Sequence, residues 1–144
     1  MKPHDITLRN ALRSELDWVF ATEANALSGT VLPYSREKHE EEFSRETVKY
    51  KMVLSNGLPA GFIILALDSD PRSVEFRRIV ISRPGCGLGR RAVLLLDEVC
   101  LYEFDRNRIW LDVFAQNLRA RHVYEACGYI HVSEARLDDR TLIF

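Results

Sequence analysis

Apolar positions recur with two periods along this chain, and the switches between them mark out its elements. Ile6 and Leu8 alternate with polar neighbours and predict a short first strand. Leu12, Leu16, Val19, Phe20 and Ala24 then recur at helical spacing, which predicts a helix over residues 13–27. Residues 29–33 break it, and Ser35 stands as N-cap to a second, short helix running toward Phe43. Tyr50, Met52 and Leu54 alternate again, Asn56-Gly57 marks a hairpin turn, and a near-continuous apolar strand follows over 61–67. A turn at 68–72 leads to a strand over 73–82. A helix over 88–103 has Ala92, Leu95, Leu96, Val99 and Cys100 on one face. A strand over 109–114, a helix over 117–127 stopped by Gly128, and closing strands over 129–136 and 141–144 complete the pattern. The order β-α-α-β-β-β-α-β-α-β-β predicts an α+β, or mixed α/β, fold with helices packed on a mixed sheet rather than a doubly wound parallel one.

One strand is out of phase with itself. Val74 and Phe76 share a face, yet strict alternation sends Ile79 and Ile81 to the other. One extra residue near Arg77-Arg78 restores a single apolar face and predicts a β-bulge there. The plainer alternative is a strand end buried on both faces.

That strand ends in Arg83-Pro84-Gly85-Cys86-Gly87-Leu88-Gly89-Arg90-Arg91. Glycines permit close approach of a ligand to the backbone. The free N–H groups of the following helix's first turn then favour an anion, so the loop reads as a phosphate cradle. The dinucleotide fingerprint G-x-G-x-x-G fails, because Arg90 stands at its third glycine, and the P-loop pattern is absent. The second dense segment is 111–129. There Ala120, Val123, Tyr124 and Cys127 fall at i, i+3, i+4 and i+7, so Tyr124 is on the buried face, either as a core ring or with its hydroxyl aimed into a cleft. Asn117 serves either as the helix N-cap or as a ligand contact.

Composition narrows the class. The 144 residues are 47% hydrophobic and 28% charged, as expected of one globular domain over 1–144. A formal net charge of −1 argues against a nucleic-acid binder. No apolar leader or membrane-length run is present in the sequence, and the odd set Cys86, Cys100 and Cys127 lacks zinc spacing. The expectation is a cytoplasmic protein with reduced thiols, no metal and no membrane partner.

Together the two dense segments resemble the GNAT superfamily of N-acetyltransferases. Gly87 and Gly89 match its Q/R-x-x-G-x-G/A acyl-CoA motif, although Pro84 stands at the leading Gln/Arg position. Asn117, Ala120, Tyr124, Gly128 and Tyr129 match its N-x-x-A-x-x-x-Y-x-x-x-G-[FY] pattern. The resemblance implies a mixed, mostly antiparallel sheet flanked by helices, and an enzyme moving an acetyl group from acetyl-CoA to a primary amine by direct attack. It implies that the pyrophosphate rests on Gly85, Cys86, Gly87, Leu88, Gly89 and Arg90, with Arg83 or Arg90 supplying the charge missing at Pro84. Pantetheine would pair with the backbone of Ile79, Val80 and Ile81, and Asn117 would contact the cosubstrate. A backbone N–H near Val80 would face the thioester oxyanion. By the same resemblance Tyr124 takes the general-acid position, and Asp112 and Glu75 are the candidate bases.

Other residues read as background. Cys86 is a bystander, His122 faces solvent, His39 on the acceptor side reads as a surface residue, with substrate contact the alternative, and 40–42 reads as a solvated acidic helix face, with attraction of a cationic amine the alternative. Trp18, Tyr34 and Trp110 belong to the core. The acceptor, a small-molecule or peptide amine, is not written in the sequence, and the assembly reads as monomer or homodimer. The competing class is a non-catalytic acyl-CoA-binding or regulatory domain, against which the presence of both Asn117 and Tyr124 argues.

Overall fold

A computed structural model describes residues 5–26, 33–83, 87–137 and 140–143. Strand β1 (Ile6–Asn10) passes through a 3₁₀ turn (Arg13–Glu15) into α1 (Leu16–Ala26), followed by α2 (Arg36–Ser44). Then come β2 (Val48–Ser55), β3 (Leu58–Leu67), β4 (Ser73–Ile81) and the long α3 (Leu88–Phe104). The chain closes with β5 (Arg108–Trp110), β6 (Val113–Phe114), α4 (Leu118–Ala126), β7 (Glu134–Leu137) and β8 (Arg140–Ile143). The order is the expected one, except that the strand foreseen over 109–114 is cut into β5 and β6 at Leu111–Asp112.

Local chemistry accounts for the boundaries. Ser35 Oγ accepts the Lys38 N–H at 3.0 Å and caps α2 as predicted. Asn117 Oδ1 accepts the Ala120 N–H at 3.3 Å and caps α4, which Gly128 ends with φ +96°. Asn56 and Gly57 both take positive φ, as a tight hairpin turn between β2 and β3 requires.

Five strands form one sheet in the order β1-β2-β3-β4-β5, antiparallel except for the β4–β5 pair. A second, three-stranded sheet has the order β6-β8-β7. The central strand β3 separates two cores, which explains its nearly unbroken apolar run. Ile63 and Leu65 join Ala92, Val93, Leu96 and Cys100 of α3 on one face. Phe62 and Ile64 join Leu16 and Val19 of α1 on the other.

The bulge in β4 is present. Ile64 pairs with Arg78, the next pair is Leu65 with Phe76, and Arg77 is left over. As a result Val74, Phe76, Ile79 and Ile81 all pack into the α3-side core, while Val80 packs on the α1 side. Farther along the same ladder, Gly61, paired with Ile81, lets β3 and β4 close up. A Cβ there would lie 2.3 Å from the Val80 carbonyl oxygen, a distance no side chain tolerates.

Candidate active site

A wedge opens where β4 and β5 part. Only Ser73–Arg108, Val74–Ile109 and Glu75–Trp110 are paired. Beyond Glu75 the bulge bends β4, and on the other side β6 has turned to pair with β8. The closed end of the wedge is pinned. Arg106 donates to the carbonyl oxygens of Asp68 and Ser73, each at 2.8 Å, and to that of Asp70 at 3.0 Å. Trp110 Nε1–H donates to Asp68 Oδ2 at 2.9 Å. The bulge and this pin together leave the backbone from Phe76 to Ile81 lining a slot.

The start of α3 stands at the far end of that slot. Gly87 is its N-cap with φ +75°, a conformation suited to glycine, and no acidic residue occupies the first turn. Leu88 turns its side chain into the core, while Arg90 is exposed. The first-turn N–H groups of a 17-residue helix therefore meet no carboxylate of their own turn. Pro84, Gly85 and Cys86 lie outside the described residues. Arg83 is exposed at the end of the β4 segment.

Tyr124 reaches the wedge from α4. Its ring meets Phe76 edge-on at 5.7 Å and Tyr129 at 5.8 Å. It also borders a cavity of about 570 Å³ between α3, β5 and α4. Burial, with the nearby Asp112 charge second, pushes its hydroxyl up to about 12, so it keeps its proton at neutral pH. Asp112 keeps much of its surface exposed, yet partial desolvation of its carboxyl raises it, helped by the Glu75 carboxylate and opposed by Arg77. Glu75 is already engaged: its Oε1 accepts from Arg77 at 3.0 Å. Three residues foreseen as catalytic thus share one neighbourhood, with different partners. Asn117 spends its side chain on the cap it makes, and Cys127 contacts the Arg90 carbonyl oxygen at 3.8 Å, tying α4 to α3.

The family profile described as "Acetyltransferase (GNAT) family" matches residues 11–129. The chain belongs to the GNAT acetyltransferase family. It is an acyltransferase that uses acetyl-CoA as cosubstrate and an amine as acceptor. No curated protein matches its sequence. Among solved structures, the acetyltransferase is similar to a spermidine N-acetyltransferase from Vibrio cholerae in complex with CoA and spermine. That likeness has TM-score 0.79 and 21% identity, over 96% of this chain and 92% of that one. A dodecameric structure of spermidine N-acetyltransferase from Vibrio cholerae in an intermediate state matches with TM-score 0.75 and 21% identity, over 96% and 90%. At this identity the likeness speaks for the fold. Among the described residues of the acetyltransferase no cluster of His, Cys, Asp and Glu could hold a metal. No described helix is long and apolar enough to cross a membrane.

Two expectations are corrected on the α1–α2 side of this GNAT enzyme. His39 is not a surface residue but fully buried, with Nδ1 2.7 Å from the Tyr50 hydroxyl and Nε2 2.9 Å from Glu23 Oε1. The acidic run 40–42 is not wholly solvated, because Glu42 is only 3% exposed and bridges Lys38 at 2.9 Å and Arg77 at 3.1 Å. His122 does face solvent. Trp18 and Tyr34 pack against the α1-side core, and Trp110 is half-buried. Glu23, Arg77 and Arg78 escaped the sequence reading. The available signal was two consecutive arginines inside an apolar strand, which demand buried anions nearby.

Proposed function

We propose that this acetyltransferase acts by direct attack of a primary amine on acetyl-CoA, with Tyr124 as general acid and Asp112 as general base. The observation that carries the reading is the placement of Tyr124, its ring edge-on to Phe76 at 5.7 Å, beside the β4 bulge, with a hydroxyl that keeps its proton and Asp112 near enough for its charge to be felt. Pantetheine pairs with the backbone of Ile79, Val80 and Ile81, and the pyrophosphate rests on the loop from Gly85 to Arg90. The amine lone pair forms the new C–N bond at the thioester carbonyl, whose developing oxyanion takes the N–H near Val80. Asp112 takes the proton shed by the amine. The C–S bond breaks, and the departing thiolate takes the Tyr124 proton. Glu75 is the lesser candidate for base because Arg77 already holds it.

The acceptor is a small-molecule or peptide amine. The spermine bound in the Vibrio cholerae relative makes polyamines a natural first trial. We further infer one domain over 1–144, working in the cytoplasm as a monomer or homodimer. The buried Cys100 thiol, pushed up to about 11 by burial, is in keeping with a reduced state.

The test is titration with acetyl-CoA followed by a thiol-release assay over polyamines, amino acids and peptide α-amines. Binding without turnover of any amine supports a non-catalytic acyl-CoA domain instead. In an active preparation Tyr124→Phe lowers kcat by about a hundredfold and leaves acetyl-CoA affinity within about twofold. Unchanged turnover removes Tyr124 from the mechanism.

A further inference from the structure

The bulge in β4 sets two arginines side by side, and a buried carboxylate from a different helix takes each one. Arg78 Nη1 donates to Glu23 Oε2 of α1 at 2.7 Å, and Arg77 Nη1 donates to Glu42 Oε2 of α2 at 3.1 Å. Glu23 is fully buried. Its other oxygen accepts the Tyr34 backbone N–H at 2.6 Å and faces His39 Nε2 at 2.9 Å. A carboxylate held by such partners only accepts, so Nε2 carries the proton toward it. The Tyr34 ring lies 4.1 Å from the Arg78 guanidinium carbon. One carboxylate therefore joins α1, the entry to α2, α2 itself and the bulge.

Apolar groups of similar volume hold a fold at least as well as a buried ionic network does. What the network adds here is fixed direction at one place in β4. That place immediately precedes Ile79 and Ile81, whose backbone groups face away from β3 and line the slot. We propose that Glu23 is a positioning residue for acetyl transfer: by holding Arg78 it fixes the β4 bulge, and so aims the Ile79 and Ile81 backbone groups, which face away from β3, at the acyl-CoA arm. The inference rests on the reading that acetyl-CoA lies along β4.

Calorimetric titration with acetyl-CoA separates the two. Stoichiometry reports the folded fraction, and Kd reports the quality of the site. Wild type, Glu23→Gln, Arg78→Met, their double variant and Val53→Ala are compared. Val53, fully buried in the α3-side core and so on the other face of the sheet from the network, controls for general loss of stability. Glu23→Gln is expected to weaken acetyl-CoA about tenfold at unchanged stoichiometry. The double variant is expected to be no weaker than the worse single one, since both act through one pair. Amide exchange over 77–80 quickens in Glu23→Gln, whereas Val53→Ala leaves Kd within about twofold. If Glu23→Gln does not fold, Glu23→Asp, which shortens the reach to Arg78, carries the same comparison. A Glu23 variant with wild-type Kd, or a Val53→Ala loss equal to that of Glu23→Gln, overturns the proposal alone. A wild-type chain that does not bind acetyl-CoA overturns the reading of the slot as well.

Discussion

A phenol can donate a proton only while it holds one, and a carboxylate can accept one only after losing its own. Tyr124 and Asp112 are both raised by burial, which suits the first role across a wide pH range and confines the second. Activity that depends on Asp112 falls as pH drops through its raised value, so the acid limb of kcat lies above the ordinary carboxylate value of 3.8. Asp112→Asn is expected to lower kcat about a hundredfold and to abolish that limb. Glu75→Gln, which removes a group already bound to Arg77, lowers kcat by less than about tenfold. Because Tyr124 is pushed up to about 12, no basic limb from it appears below about pH 10. Steady-state pH profiles of wild type and both variants check these statements. At this scale Tyr124 was legible, because helical spacing and a recognisable pattern coincide on it. Its proton affinity was not, since that depends on burial and on charges brought in by other elements. His39 and Glu42 were misread because α2 is polar almost throughout. Its inward face is only His39, Glu42 and Phe43, a stripe too short and too polar to register as amphipathic.

The β4 bulge was legible as an element because two apolar pairs in one strand were out of phase, and only a residue count could reconcile them. The break between β5 and β6 was not. The residues of 109–114 read as one strand, and the interruption arises from where the parallel ladder to β4 stops. That stop depends on the bulge in a different strand. Gly61 lies farther along the β3–β4 ladder, paired with Ile81. Gly61→Ala places a methyl group against the Val80 carbonyl oxygen, where the obstructing atom is backbone and cannot swing away. Chemical denaturation is expected to show a loss of about 2 kcal/mol or more. Acetyl-CoA affinity falls with it, because the strand that must yield is the one lining the slot.

Across the whole molecule, the sheet divides a core under α3, where the buried Lys51 bridges Glu103 at 2.6 Å, from a core under α1 and α2 edged with the buried carboxylates Glu23 and Glu42. Burial opposes the charge on Glu23 and Glu42. Partners outweigh it, chiefly His39 and Arg78 for Glu23 and Lys38 for Glu42, and both are lowered from the ordinary 4.5. Groups lowered in the folded state contribute stability that is present above their unfolded value and lost as pH falls through the folded one. Asp97 and Asp112, raised by burial, work in the opposite sense over the range above 3.8. Thermal unfolding is therefore expected to show Tm falling steeply below about pH 4.5, with a shallower fall in Glu23→Gln. The global order of elements was legible because each long helix and strand carries its own period. The charged layer was not, because its members come from α1, α2, β2 and β4 and meet only after folding.

The slot also has a consequence for the protein as a colloid. From Phe76 to Ile81 β4 presents a backbone edge past the end of its ladder to β5, and such an edge invites any extended chain to complete it. Another copy of the protein is one such chain, so preparations stripped of cosubstrate are expected to scatter more light on warming than those holding saturating CoA. The protection should exceed what the rise in Tm explains, because the bound arm fills the edge itself. On the proposed reading, in which acetyl-CoA lies along β4, the cosubstrate shields its own binding strand from other chains.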